Sequence, residues 1–505
     1  MNREPCQPAM RLTNLRPRRK GNAMGCRFLL MAAPLVFGLA LPARAGNLQR
    51  IGHTTLVPRH NTLLDTNGVP LPDDKGMYTA FIDPTNGYAY FVGTYLFKLD
   101  ITGNLPAQVG PALFTGQFSE SAVDLAAGYA YMARTSLNRY ALGVGTNPVT
   151  SAGSITLVAG SAASVVVDDS DPNPSNHYAY VLCTVSGNPA KVAKVALSTL
   201  TELGSVTLTN GETNFWVGCV DAHKGYAYFA SLPGLAPTIP QVVKIKLTPG
   251  TNAPVRIGAV NLDTVGDNVD GGSIDTLHGY AYYGTYDSDT NLPGKVYKVK
   301  LEDGDVAPTL VGRVNLHPGE GRLAASVIDP LGGYVYFADD NSYPGRIYQF
   351  SLNGTNQPVE IGYLQLQGGT SITTPLNGIT TNNWAADGTN LPFGEVFFRS
   401  AVFDPVRGFA YLGQDSRPNQ VVKVQLERDL AVITSAVRLP DGSFQLVYTN
   451  APYGTNTVLT STDMTMPLTN WTALGSGTEV SPGQFQFIDP QATNLPQRFY
   501  RISSP

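Results

Sequence analysis

Carboxylates recur in this chain at a fixed distance ahead of a repeated Gly-Tyr-Ala-Tyr. Asp74, Glu212, Asp267, Glu320 and Glu395 each stand 12 or 13 residues before the Gly of their copy. If those segments meet at a common mouth, a ring of carboxylates there would bind a cation or a cationic ligand. One repeat is richer, with Asp263, Asp267, Asp270, Asp287 and Asp289, and Asp339 and Asp340 follow in the next. Several converging hard oxygen ligands are what Ca²⁺ requires, so calcium is the cofactor this set would take, although its spacing is not that of an EF-hand. A plainer role competes. Each acid could accept backbone amides from the neighbouring repeat, and recurrence in copy after copy favours such a brace.

Other chemistry is sparse. His177, His223 and His278 fall in turns at or near the repeated Gly, His53 in a strand, and His60 and His317 in connecting loops. No His pair has the spacing of a metal site, and the chain beyond residue 45 contains no Cys-x-x-Cys. A Gly-x-Ser-x-Gly nucleophile elbow is absent too. Of 25 Tyr, 13 occupy repeated Tyr-x-Tyr positions, which makes most of them core rather than a sugar-binding platform. Among Trp216, Trp384 and Trp471, Trp384 is the candidate for ligand contact, because it lies in a long Gly-, Thr- and Asn-rich insertion at 367–397. A net charge of -4 gives no electrostatic footprint for nucleic acid or an anionic membrane.

The elements that position these residues come from seven copies of one pattern. An apolar strand ends in Asp (Asn173 in the third copy), and Gly follows four residues later (His177 in the third). Tyr-Ala-Tyr, Tyr-Val-Tyr or Phe-Ala-Tyr then opens a second strand. The copies centre on Gly87, Gly128, His177, Gly225, Gly279, Gly333 and Gly408, separated by 41, 49, 48, 54, 54 and 75 residues. The Asp side chain, or Asn173 in the third copy, is expected to bond amides two residues on, with Gly, and His177 in its place, in the left-handed region. Tyr-Ala-Tyr alternation puts large rings on one face and a small residue on the other. A third strand follows, such as Val242-Val243-Lys244-Ile245, then a fourth, such as Arg256-Ile257-Gly258-Ala259. Four short strands per unit at this period predict a propeller. The last repeat lacks a good fourth strand, and Arg50-Ile51-Gly52 near the N-terminus matches Arg256-Ile257-Gly258. Residues 48–57 are therefore expected to complete the seventh unit and leave no open sheet edge.

The ends differ from the repeats. Arg16, Arg18, Arg19, Lys20 and Arg27 precede an apolar run from Phe28 to Leu41, and Ala43-Arg44-Ala45 supplies small residues for cleavage. That is a signal peptide over 1–45, too short in its apolar run to span a bilayer comfortably. The remaining cysteines, Cys183 and Cys219, would pair or stay as two buried thiols. From about Ala431 the repeat stops, and short alternating strands predict a small β-sandwich over 430–505.

The repeated Asp-Pro-x-x-Gly-Tyr-Ala-Tyr-Phe and Pro-Gly-x-Val-x-Lys-Val-x-Leu resemble the YVTN-type, surface-layer seven-bladed propellers of secreted bacterial proteins. The tail, through Ser461-Thr462-Asp463, Asn470-Trp471-Thr472, Asp489-Pro490 and Gln497-Arg498-Phe499-Tyr500-Arg501, resembles a C-terminal module of secreted Verrucomicrobia-like proteins. These resemblances imply export and cell-surface use and leave the ligand open. The expectation is an all-β chain: a seven-bladed β-propeller over 46–429, closed by its N-terminal strand, and a C-terminal β-sandwich. Its function would be binding a protein or glycan partner at the cell envelope, secreted or at the cell surface, in the periplasm or outside the cell, with no transmembrane segment in the mature chain. Trp384, Glu212, Glu320 and Glu395 are the candidate ligand contacts. A lactonase-like hydrolase with an acidic site at the channel mouth, or a structural surface-layer component, are the alternatives.

Overall fold

The computed structural model describes residues 48–56, 76–116, 120–231, 239–262, 268–286, 293–317, 320–340, 342, 344–352, 356–367, 395–415, 419–426, 431–450, 456–463, 466, 470–481, 484–494 and 497–503. Among the described residues the chain is almost entirely β, with helix only in 3₁₀ turns, Pro174–Asn176 and Pro490–Asn494. Among the described residues no helix is long and apolar enough to cross a membrane.

Each copy of the repeat folds into an antiparallel sheet. Innermost strands run Thr79–Asp83, Glu120–Asp124, Ser161–Asp168, Phe215–Asp221, Asn268–Asp275, Leu323–Asp329 and Phe398–Asp404. Each packs against the innermost strand of the next sheet, and Phe398–Asp404 returns to Thr79–Asp83. The fourth sheet is typical: Phe215–Asp221, Tyr226–Ser231, Gln241–Lys246 and Val255–Asn261 in sequence order. The sheet that begins at Phe398 draws its outermost strand from the other end of the chain. Gln49–Thr55 pairs antiparallel with Gln420–Gln425. Repeated four-stranded sheets of this kind are typical of a β-propeller.

The Tyr-Ala-Tyr signature explains how the sheets stack. The second Tyr of each copy, from Tyr90 to Tyr411, is at most 1% exposed, and the intervening Ala or Val is equally buried. Tyr131 packs toward the third sheet while Ala130 faces the first. Large rings on one face thus meet small residues on the next sheet, and a separate apolar cluster fills each interface.

The turns correct two sequence expectations. The Asp carboxylate does accept a backbone amide, but generally three residues on: Asp83 from Asn86, Asp124 from Ala127, Asp221 from Lys224 and Asp275 from His278. Amides two residues on are reached by Asp404, to Val406, and in the third copy by Asp168, to Ser170, and by Asn173, to Ser175. The Gly that follows has φ between +74° and +79° in six copies, a region costly for other residues. In the third copy the strand ends at Asp168, which pairs with Tyr178, and not at Asn173. A 3₁₀ turn lengthens this hairpin, so His177 sits at φ −80° and ψ 143°, ordinary extended backbone. It is buried, with Nδ1 2.8 Å from Asp124 Oδ2 of the second sheet. The hydrogen bonds to Asp124 and the Asp171 carbonyl outweigh burial and raise its pKa.

A buried cation ties neighbouring sheets together. Lys244 Nζ donates to the carbonyls of Leu301, Glu302 and Gly304 in the next sheet's outer hairpin and lies 4.1 Å from the Tyr226 ring centroid. Lys98, Lys194 and Lys423 make the same reach, and Arg139 substitutes in the second sheet. The repeated Lys of the third strand is therefore structural.

Cys183 and Cys219 are separate buried thiols in different inter-sheet clusters, and burial pushes both up to about 12. Beyond the repeats, Val432–Arg438, Phe444–Thr449, Gln484–Asp489 and Thr478–Ser481 form one sheet. Thr472–Gly475, Thr457–Ser461 and Phe499–Ser503 form another. Leu446, Tyr448 and Phe485 from the first share a core with Val458 and Ile502 from the second.

Candidate binding site at the channel entrance

Alternation along the innermost strands decides what faces the central channel. In Phe215–Asp221 the half-buried positions are Trp216, Gly218 and Val220, and their neighbours are buried between sheets. Counting back from the terminal Asp of each copy, the first channel-facing level is apolar: Ile82, Val123, Val167, Val220, Ile274, Ile328 and Phe403. The next is mostly small: Ala80, Ser121, Gly218, Gly272, Ser326 and Ala401. The level five residues back, where the strands begin, varies most: Tyr78, Ala163, Trp216, Asp270, Ala324 and Arg399.

Charge gathers at that variable level. Arg399 Nη2 is 3.0 Å from Asp340 Oδ2, and its Nε is 3.2 Å from Asp415 Oδ2. Arg322 Nε lies 3.7 Å from Asp340 Oδ1, and the Arg399 guanidinium is 5.6 Å from the Tyr78 ring centroid. Asp340 and Asp415 come just after the second strands of their sheets, Tyr334–Asp339 and Phe409–Gln414, at the end where the innermost strands begin. Glu120, on the second sheet, couples electrostatically to Asp270 on the fifth.

The positive charge here does not match the negative. Burial, then repulsion from Asp270, pushes the Glu120 carboxyl up to about 8 against a weaker backbone hydrogen bond from Ser121. Asp270 and Asp415 are pushed up to about 6 chiefly by burial, with Arg399 opposing and Asp340 reinforcing. Asp340 is raised by burial as well, against both arginines.

The opposite end of the channel is apolar. A cavity of about 710 Å³ opens there, lined by Ala80, Ile82, Pro84, Val123, Leu277, Ile328, Pro330, Leu331, Ala401, Phe403 and Pro405 among others. Ala80 and Ala401 lie two residues beyond Tyr78 and Arg399, so the cavity reaches up to the charged level.

The recurrent acids sit elsewhere. Glu212 accepts from Arg256 Nε at 2.8 Å and from the Thr209 amide at 2.7 Å. Glu395 accepts from Arg50 Nε at 2.7 Å and contacts His53 Nδ1 at 2.9 Å. Arg50 and Arg256 are the matched arginines of outermost strands, so these carboxylates turn outward, away from the axis. Burial drives both carboxyls up, but the arginine and backbone hydrogen bonds outweigh it and hold them below their ordinary value. In the sixth sheet the matched position is Glu360, and Glu320 instead accepts from Arg346 Nη1 at 2.8 Å. Asp339 faces Arg346 and Tyr348, and burial raises it to about 6.

Of the five aspartates expected to hold calcium, only Asp270 is described; Asp263, Asp267, Asp287 and Asp289 lie outside the described residues, as do Asp74, His60 and Trp384. Sequence reasoning missed Glu120, Arg322, Arg399, Asp415 and Tyr78. For Tyr78 and Arg399 the available signal was a strand position whose chemistry varies among copies within a more constant frame; Glu120, Arg322 and Asp415 occupy other positions and carried no such signal.

A scan against protein-family models found no match, and neither did a search of curated proteins. Similar solved structures include the WD40 β-propeller domain of Doa1, at 9% identity and TM-score 0.47 over 75% of this chain and 98% of that one. U3-55K is similar at 10% identity and TM-score 0.46, over 76% and 100%. The β-propeller domain of Myceliophteria thermophila Cps50 (Swd1) gives 8% and 0.47, over 70% and 98%.

Proposed function

We propose that this chain is an exported binding protein: a seven-bladed propeller closed by residues 48–57, carrying a C-terminal sandwich. Its partner, protein or glycan, docks at the channel end where the innermost strands begin. One observation carries the reading. Tyr78, Trp216, Asp270 and Arg399 occupy a single repeat position, held by Ala163 and Ala324 in two other copies, and Asp270 and Arg399 are electrostatically coupled there on a frame that otherwise repeats. Residues that recur build the fold, so a channel-facing level that varies is where recognition is free to reside. The basic and apolar segments before Ala45 support export, and the tail's likeness to modules of secreted proteins supports use at the envelope.

The test is site-directed photo-crosslinking of the mature protein with envelope fractions of its source cells. A benzophenone side chain at position 216 is expected to capture a partner, and the same group at position 405, at the apolar end, to capture none. Equal capture at both, or none at 216, overturns the assignment. A second reading rests on Asp270 at about 6 and Glu120 at about 8, values suited to general acid–base chemistry near neutrality. It predicts hydrolysis of simple lactones that disappears in Asp270→Asn.

A further inference from the structure

We infer that the turn end of the channel holds a second binding site, one that takes a compact, neutral, apolar molecule. The inference stands apart from the docking face at the other end. The cavity of about 710 Å³ has the size of a small-molecule site. Its walls are innermost strands of the first, second, sixth and seventh sheets, together with the turns that follow them and the turn at Leu277. The channel-facing level nearest these turns is apolar in every copy, yet Ile82, Val123, Ile328 and Phe403 are only partly buried. Partly covered apolar surface forgoes much of its burial energy, and a ligand seated against it recovers that energy.

The rim supplies a second, independent observation. A reversal at Asp-x-x-x-Gly needs its Asp and its Gly, while the residues between face solvent, where polar types are the ordinary choice. Leu125, Leu277 and Val406 stand there instead, 39%, 48% and 63% exposed. Leu277 lines the cavity, with Pro84, Pro330 and Pro405 from three other turns. The turn of the fourth copy lies outside the lining and carries Ala222, His223 and Lys224. Turn geometry therefore does not dictate the apolar residues at this mouth.

The charges decide the class of ligand. Asp329 lines the cavity but accepts the Gly332 amide. Around the mouth Asp404 is bonded to Arg407 at 2.9 Å, Asp275 to His278 at 2.6 Å and Asp83 to Asn86 at 2.8 Å. Each of these carboxylates is satisfied inside its own turn, and Arg407 is engaged by Asp404. A charged ligand would give up its water here without finding a free counter-ion, whereas a neutral apolar one only covers the wall.

Fluorescence titration of the full mature chain with N-phenyl-1-naphthylamine tests this, beside 1-anilinonaphthalene-8-sulfonate, which adds a sulfonate to the same rings. The neutral probe is expected to bind saturably, and the sulfonate more weakly by about tenfold or more. Leu277→Asp and Ile328→Asp should each weaken the neutral probe by about tenfold or more, while Val306→Asp, in an exposed outer hairpin, leaves it unchanged. Leu277 is an exposed turn residue, so its variant is expected to keep the wild-type Tm and to report on the site alone. The inference is overturned by the absence of saturable binding up to the solubility of the neutral probe, by equal affinity for the sulfonate, or by undiminished affinity in Leu277→Asp. Light scattering covers a different occupant: a dimer that Leu277→Asp dissociates would make this mouth a contact between copies, and would overturn the small-molecule site as well.

Discussion

Lys244 shows how a single buried charge can be structural. Its ammonium gives up water for three carbonyls of the next sheet and the face of Tyr226. Burial lowers its pKa, with Asp303 and Asp305 opposing, so the carbonyls and ring are what hold the charge inside. Lys244→Met keeps the stem but strands those carbonyls, and is expected to cost about 2–4 kcal/mol. Lys246→Met, two residues along, removes an exposed pair with Asp305 and should cost under about 1 kcal/mol. Urea unfolding of both variants checks the contrast; equal losses would mean that the latch contributes nothing beyond packing. The same logic separates Glu212 and Glu395 from Glu120. The first two are matched to arginines and explain why acids recur, whereas the third has no such match.

At the scale of the element, the strand Gln49–Thr55 is the most consequential piece. Its partners Gln420–Gln425 lie at the far end of the repeats, so this pairing links the first described strand to the last repeat. Gly52 permits the approach, since a Cβ there would come within 2.6 Å of Leu105 in the neighbouring sheet. Arg50 adds the ion pair to Glu395. A chain lacking residues 46–57 exposes the edge of Gln420–Gln425, and exposed edges recruit other chains. Such a truncation is expected to lower Tm by several degrees and to form dimers or larger species by size-exclusion chromatography with light scattering. A monomeric, undiminished Tm would show that the closure is dispensable. The turn glycines act more locally, each allowing one hairpin to reverse at φ near +75°.

Across the whole molecule, the carboxyls at the channel entrance make stability depend on pH. Glu120, Asp270 and Asp415 have folded pKa values above their unfolded ones, near 8, 6 and 6. Between the unfolded and folded values the native state binds more protons, so stability falls as pH rises. The contribution is complete below about pH 4 and is lost progressively up to about pH 8. His177, raised by Asp124, acts in the same sense above its unfolded value. Glu120→Gln is expected to flatten the fall between pH 6 and 8 and to raise Tm at pH 8, measured by calorimetric melts across that range. A variant with the wild-type slope would show that Glu120 titrates in the ordinary carboxylate range.

The sequence by itself determined the repeat, the four-strand unit, the Gly turns and the interlocking of Tyr against Ala, because each depends on neighbours a few residues away. It also revealed the match between Arg50 and Arg256, since repetition makes equivalent positions comparable. Only the tertiary structure decided what the charges do. Glu395 finds Arg50 across 345 residues of sequence, and Glu212 finds Arg256 across 44. Glu120, Asp270, Arg322, Arg399 and Asp415 come from four different sheets and meet only because the sheets converge on one axis. Burial on that axis then sets their protonation, and no local pattern encodes how far a carboxylate sits from water.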